Sequence, residues 1–438
     1  MTVSSKIDGI NVRFMYSACV VTETPNISIL HDPWFTDGIY DGTWFQFPKI
    51  DDPVQKIGDV DLVFVSHIHP DHYDPEFLRA YFKEFGEKEI IIAERFPNFL
   101  QTKMTADGFS PTVLSDTLTF GSTEVTVVPV KPQERSEIDS ALVLKFHDSL
   151  GREHCLVNLN DVIVDVDFRD QIKAMTGSID LLLLGYTGAG PYPQTYFDID
   201  DPTLAARAEA KKVEFFDRYV ETVGDLKAAR NLPFAGQYLL GGSLVPLNPY
   251  RGVADACEIL PMDPNAVVLM EACGSISSRD LMPKNPRHEP FSPVEIAARE
   301  EEIAKEKRAH EILFCEENVG VLPLSRLLRK AHQNALRVGA LDSPYFFVFE
   351  LPDSRLAVLP ASASPSGNDD WDDFSVVAKG CELPEPRSEI GIDPRYLFGL
   401  LTGVFHWNNA EVGSGFTTRR FPDVFRRDAQ AFLNWLVV

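Results

Sequence analysis

The sequence predicts a layered α/β or α+β body, with a β-sheet covered by helices, followed by a smaller α+β unit. Three observations carry this reading. Short apolar, β-branched runs recur through the first half, separated by helix-like segments. One of these runs, Asp61-Leu-Val-Phe-Val-Ser66, leads directly into His67-Ile-His69-Pro-Asp71-His72. From about residue 255 the texture changes to Pro-rich connectors and a charged helical stretch, and strand-like runs return only near the C-terminus.

Residues 10–32 alternate in the manner of strands, over Asn11–Cys19 and then Ile27–Asp32. Pro33 must stop the second, because proline cannot donate to a central ladder. An aromatic loop follows, with Trp34, Phe35, Tyr40, Trp44, Phe45 and Phe47. Its rings fit core packing better than a pocket wall. After the strand at 61–66 a helix is expected from Pro75 to Phe85, a buried strand at Glu89–Ala93, and a helix at Pro97–Ala106 with proline in its first turn. Runs at 117–120, 124–130, 141–146 and 154–158 read as successive strands. A helix over 203–223 and a strand into Leu232-Pro-Phe-Ala-Gly236 complete this half. Ser292–His310 reads as a solvated helix. Phe346–Glu350 and Arg355–Leu359 read as a hairpin, and Ser362–Asp373 as a polar loop.

Composition narrows the function. The formal charge of −24 opposes binding to nucleic acid phosphates and to anionic membrane surfaces. A small anionic substrate remains compatible, since a local arginine can oppose the global field. The six cysteines are scattered with no Cys-x-x-Cys, which suits reduced thiols in a cytoplasm. None has His at +2 or +3, so the spacing of a Rieske iron–sulfur site is missing. Met1–Lys6 lacks the layout of a signal peptide, and no run approaches the ~18 apolar residues of a membrane span. The expectation is a soluble cytoplasmic protein.

Histidine makes up only 10 of the 438 residues, so three within six positions mark a metal cluster rather than a chance polar loop. Imidazoles at i and i+2 of an extended chain point the same way, so His67 and His69 suit one ion. Asp71 and His72, after the turn, suit a second. Neutral imidazole suits zinc or iron, and carboxylate a harder ion. A binuclear centre also needs a bridging carboxylate from a distant strand end. Asp161, in Asn158-Leu-Asn160-Asp161 after the run Cys155-Leu-Val157, has that character. Its bland alternative is a turn-forming Asn-Asp pair. Asp32 is a candidate for orienting a ligand histidine from behind. His31 and His147 read as structural or exposed. Arg419 and Arg420, in a Gly/Thr-rich loop, are candidate contacts to an anionic substrate, Arg419 first.

The pattern His67, His69, Asp71, His72, with Asp161 later, resembles the metallo-β-lactamase superfamily. Within it the chain is most similar to the CMP-N-acetylneuraminate hydroxylase group. That likeness rests on Asp32-Pro-Trp34, Val157–Asp161, Leu184–Gly190 with Pro193–Phe197, Pro233–Gly236, His406-Trp-Asn408 and Gly413–Pro422. It implies an αββα sandwich with a C-terminal α+β extension. The corresponding domains are a metal-binding domain over 1–255, a helical connector over 256–320, and an α+β domain over 321–438 that completes the cleft.

Where the superfamily places a loop histidine, Lys131–Ser140 has none and offers Glu134, Glu137 and Asp139; Glu137 is preferred as the ligand. That substitution resembles the diiron β-hydroxylases of this fold. A later histidine of the family is also missing from Phe234–Ser243. His288 and His406 are the remaining candidates, with Gln237 or Tyr238 as oxygen donors. The implied activity is a non-haem, di-iron oxygenase that hydroxylates or N-oxygenates a small polar metabolite. Asp71 and Asp161 would be its catalytic carboxylates, and a separate electron-transfer protein its partner. The alternative is a binuclear hydrolase holding zinc or manganese, in which Asp71 holds the second metal or positions the nucleophile.

Overall fold

A computed structural model describes residues 8–131, 138–362 and 373–438. Two sheets face each other. The first has seven strands in the order Ser275–Ser277, Asn11–Tyr16, Cys19–Glu23, Ser28–His31, Leu62–Phe64, Glu89–Ala93 and Thr112–Leu114. The second has six, in the order Arg230–Phe234, Leu181–Gly185, Glu153–Asn158, Ser140–His147, Thr123–Pro129 and Leu118–Phe120. Val20, Ile29 and Phe64 of the first sheet meet Leu142, Leu156 and Leu183 of the second in one apolar layer, all at most 1% exposed. Burying each such side chain contributes about 1.5–3 kcal/mol, which makes this layer the main cohesive element.

Helices cover both outer faces. Phe77, Leu78 and Tyr81 of helix Pro75–Phe85, with Leu100 and Met104 of helix Phe99–Ala106, pack on the first sheet. Phe168 and Ile172 of helix Val166–Met175, with Phe216 and Tyr219 of helix Leu204–Leu226, pack on the second. This is the αββα sandwich expected from the sequence. Three details differ. The alternating stretch 10–19 turns at Ser17, φ 49°, and a separate strand occupies Cys19–Glu23. The helix expected from Pro97 begins at Phe99, because the Asn98 side chain caps it by accepting from the Gln101 N–H. The stretch expected to be one helix over 292–310 is two, Pro293–Ile303 and Ala309–Leu313. The segment 256–320 carries these helices, but also Ser275–Ser277, which pairs antiparallel with Asn11–Arg13 at the edge of the first sheet.

The C-terminal unit is a five-stranded sheet ordered Ser375–Ala378, Arg355–Pro360, Phe346–Glu350, Arg387–Gly391, Thr417–Phe421. The expected hairpin is its centre, with Phe346 opposite Pro360. Leu328 and Ala335 of helix Leu324–Gly339, with Leu397 and Leu400 of helix Pro394–Leu401, build its core around Phe347 and Trp407. Most of the polar loop 362–373 lies outside the described residues. Among the described residues, no helix is long and apolar enough to cross a membrane.

One carboxylate joins the aromatic loop to the histidine segment. Asp74 caps helix Pro75–Phe85 by accepting from the Phe77 N–H at 2.9 Å. It also accepts from the N–H groups of Phe35 and Thr36, at 3.0 and 2.8 Å, and from the Thr36 hydroxyl at 2.9 Å. Asp74→Ala would strand these donors beside a 2% exposed position. A lost cap and unsatisfied buried donors together predict a loss of about 3 kcal/mol in chemical denaturation, well beyond the ~1 kcal/mol of an ordinary cap.

Candidate metal centre

The strands Leu62–Phe64 and Glu153–Asn158 each run parallel to a neighbour and end at the same edge of the sandwich. In α/β sheets that edge, beyond the carboxyl ends of strands, is where ligands bind. The chain leaves the first strand as Val65–His69 and then turns back, with the His72 and Tyr73 N–H groups bonded to the His69 carbonyl at 3.0 and 2.8 Å. That turn brings the His72 ring against the His67 ring, with centroids 4.1 Å apart. Leaving the second strand, Asn160 takes a left-handed conformation, φ 51°, which asparagine tolerates. Asp161 follows it, and its Oδ2 lies 3.3 Å from His72 Nε2. Ligand atoms of His67, His72 and Asp161 all lie within 4.8 Å of one another.

Buried polar contacts join the two sheets beneath this cluster. His31, 0% exposed, takes Thr22 Oγ1 at 2.9 Å on one ring nitrogen and Asn158 Nδ2 at 3.2 Å on the other. Burial lowers its pKa to about 3, so it is a neutral structural ring. The Ser140 hydroxyl donates to the Ser66 carbonyl at 2.7 Å, and Asn160 Nδ2 donates to the Ser140 carbonyl at 3.3 Å. Asp32 accepts from the Ser66 N–H at 2.7 Å, and its other oxygen lies 3.2 Å from His72 Nδ1. The His72 ring is therefore held from behind, with Nε2 toward Asp71 Oδ2 at 3.6 Å and Asp161 Oδ2 at 3.3 Å.

The electrostatics of the site are those of a cation site. Burial holds the pKa of His67 well below that of free imidazole, helped by His72, His69 and Arg95. Burial lowers His69 too, against the pull of Asp71. Both rings are thus neutral and able to ligate. At His72, burial would also favour the neutral ring, but Asp161, Asp71 and Asp32 together raise its pKa well above the ordinary value. Burial raises Asp161, and His72 then brings it below the usual carboxylate range. Three carboxylates around one imidazole favour positive charge there. His67 Nε2 and His69 Nδ1 also converge at 2.9 Å, a pair of ring nitrogens facing one point. The residues present therefore fit a metal ion, and among the described residues His67, His72 and Asp161 are the ligand-type side chains that converge.

The remaining candidates fall as follows. Glu134 and Glu137 lie outside the described residues. Asp139 Oδ1 lies 3.6 Å from His67 Nδ1, on the side of the ring away from His69. His406 uses Nδ1 to accept the Asn408 N–H at 3.2 Å, capping helix Trp407–Val412, and His288 is exposed. The Tyr238 ring stacks on Trp44 at 3.5 Å, and the Gln237 carbonyl accepts the Tyr16 hydroxyl. Arg419 is half-exposed and ion-paired with Asp198; Arg420 pairs with Asp423 at 2.9 Å. Trp34 and Trp44 are core residues, 1% and 2% exposed.

Two contacts were not foreseen from the sequence. The Tyr40 hydroxyl donates to Asp71 Oδ1 at 2.5 Å, and Asn408 Oδ1 lies 3.1 Å from His69 Nε2. Nothing in the sequence around Tyr40 or Asn408 points either side chain at the cluster.

Residues 11–201 match the family model described as the β-lactamase superfamily domain. A Mycolicibacterium smegmatis protein named as a Rieske 2Fe-2S iron–sulfur protein is 30% identical over 256 residues, covering 53% of this chain and 45% of the relative. The chain thus spans less than half of that relative's length. Among solved structures, the diiron β-hydroxylase CmlA of Streptomyces venezuelae shares 13% identity at a TM-score of 0.38, covering 63% of this chain and 55% of its own. An isothiocyanate hydrolase from Delia radicum gut bacteria shares 14% at a TM-score of 0.40, covering 61% and 98%.

Replacing His69 with alanine removes one of the two converging ring nitrogens. His69→Ala is expected to lose bound metal in elemental analysis of the purified protein; unchanged metal content would undo its assignment as a ligand.

Proposed function

We propose that this chain is a metal-dependent enzyme, a non-haem iron oxygenase that hydroxylates or N-oxygenates a small polar metabolite. The observation that carries the reading is the balance of donors at the site. Three imidazoles stand against the carboxylates of Asp71 and Asp161, and the segment 131–140 supplies acids without a histidine. Oxygen donors suit iron or manganese better than zinc and stabilise higher oxidation states. In this reading His67 and His69 would hold one ion and His72 and Asp71 a second, with Asp161 as a further carboxylate ligand and Glu137 or Glu134 completing the first. Two bound irons would supply the activation of dioxygen.

The chain's own residues set the conditions for that chemistry. Asp32 and Ser66 fix the His72 ring from its Nδ1 side. Burial, then Asp71, keeps the Tyr40 hydroxyl protonated, its pKa well above the ordinary phenol value. It therefore stays a donor, ties up one lone pair of Asp71 Oδ1, and limits how that carboxylate can swing. Electrons would come from a separate iron–sulfur protein. Support comes from the relative named as a Rieske 2Fe-2S iron–sulfur protein.

Elemental analysis with oxygen-uptake measurements tests the assignment. Two irons per chain and reductant-dependent consumption of dioxygen are expected. Stoichiometric zinc, turnover of chromogenic esters and no oxygen uptake would replace this reading with a hydrolytic one.

A further inference from the structure

The C-terminal unit also reaches the metal centre. Asn408 lies on helix Trp407–Val412 of the C-terminal unit, 339 positions from His69. Its Oδ1 is 3.1 Å from His69 Nε2. We infer that Asn408 is a positioning residue of the centre, one that fixes the tautomer and the orientation of the His69 ring.

An amide oxygen only accepts, so the nitrogen it faces carries the proton. With the proton on His69 Nε2, Nδ1 keeps its lone pair, and that nitrogen is the one 2.9 Å from His67 Nε2. On the other ring, Ser66 Oγ at 2.9 Å and Asp139 Oδ1 at 3.6 Å stand at Nδ1 and leave Nε2 free in the same way. The opposite tautomer of His69 would aim an N–H at His67 and block the shared position. Among the described residues, Asn408 is the acceptor that faces His69 Nε2.

The helix is anchored well enough for this task. The Trp407 indole N–H donates to the Leu436 carbonyl at 2.9 Å, and its ring is 2% exposed in the C-terminal core. From the preceding helix, Pro394–Leu401, the Tyr396 hydroxyl donates to Asp41 Oδ2 at 2.7 Å. Asp41 follows Tyr40, the donor to Asp71, and both hold left-handed backbones at φ 61° and 53°. A Cβ on Gly413 would come within 2.8 Å of Tyr40 Cβ, so the helix end lies directly on the aromatic loop. The C-terminal unit thus meets the centre at two points, through Asn408 at His69 and through the helix end at the aromatic loop. A neutral amide also adds no fourth negative charge beside Asp32, Asp71 and Asp161.

The test uses full-length, metal-free protein titrated with zinc and with ferrous ion against a competing chelator. Outer partners of ligand histidines typically tune affinity 10–100-fold, so Asn408→Leu should bind roughly 10–100-fold more weakly, and Asn408→Asp, which still accepts, should stay within about threefold of the parent or bind tighter. Thermal unfolding of the metal-free proteins checks folding, and Asn408→Ala replaces the leucine variant if that one is unstable. In a His69→Ala background the leucine change should cost nothing further. Parent-like affinity in Asn408→Leu overturns the role, as does weakening in Asn408→Asp equal to that in Asn408→Leu, or a loss that persists without His69. If His69→Ala itself binds like the parent, the ligand assignment falls and this role with it. The proposed oxygenase reaction is not at stake in any of these titrations.

Discussion

The buried carboxylate of Asp32 is the constraint on which the site depends. It sits where strand Ser28–His31 ends, in a left-handed conformation with φ 40°, and its own N–H is spent on the Phe64 carbonyl at 3.0 Å. One oxygen takes the Ser66 N–H and the other faces His72. Burial raises its pKa, and His72 and Ser66 pull it back down. A carboxylate in so dry a position is tolerated only because it is paired. Its neighbours are therefore committed: the end of the histidine strand at Ser66 and the face of His72 follow from that pairing.

The apolar layer and the polar floor divide the labour. Leucine, valine and phenylalanine from both sheets supply cohesion without direction. Direction comes from the His31–Asn158 and Ser140–Ser66 bonds, which cross between the sheets just below the cluster, with Asn160 bracing Ser140 from the same side. Hydrogen-bonded groups in such a place cost little when complete and much when broken.

What could be read from the sequence followed the range of the contacts. His67 to His72 is one continuous segment after a buried strand, so periodicity and ligand chemistry suffice to recognise it. Asp161 was legible for the same reason, as a polar turn at a strand end. The layered α/β character followed from the strand-like runs and the αββα arrangement from the family resemblance, and boundaries slipped where a cap or turn competed, as at Asn98 and Ser17. Tyr40 and Asn408 were not legible. Their partners lie 31 and 339 positions away, and the surrounding residues look like ordinary core aromatics and a short helix. The choice between Glu134 and Glu137 rests on a segment outside the described residues.

The grip of helix Trp407–Val412 on His69 and the aromatic loop has a consequence for how the protein is made. During synthesis His67, His69 and His72 leave the ribosome long before Asn408 does. Until that helix docks, the His69 ring is free to present either nitrogen, and an early ion meets a half-prepared site. On the Asn408 assignment, selective loading is deferred to the end of folding, and a chain truncated before this helix is a poor trap for whichever metal the cell offers first.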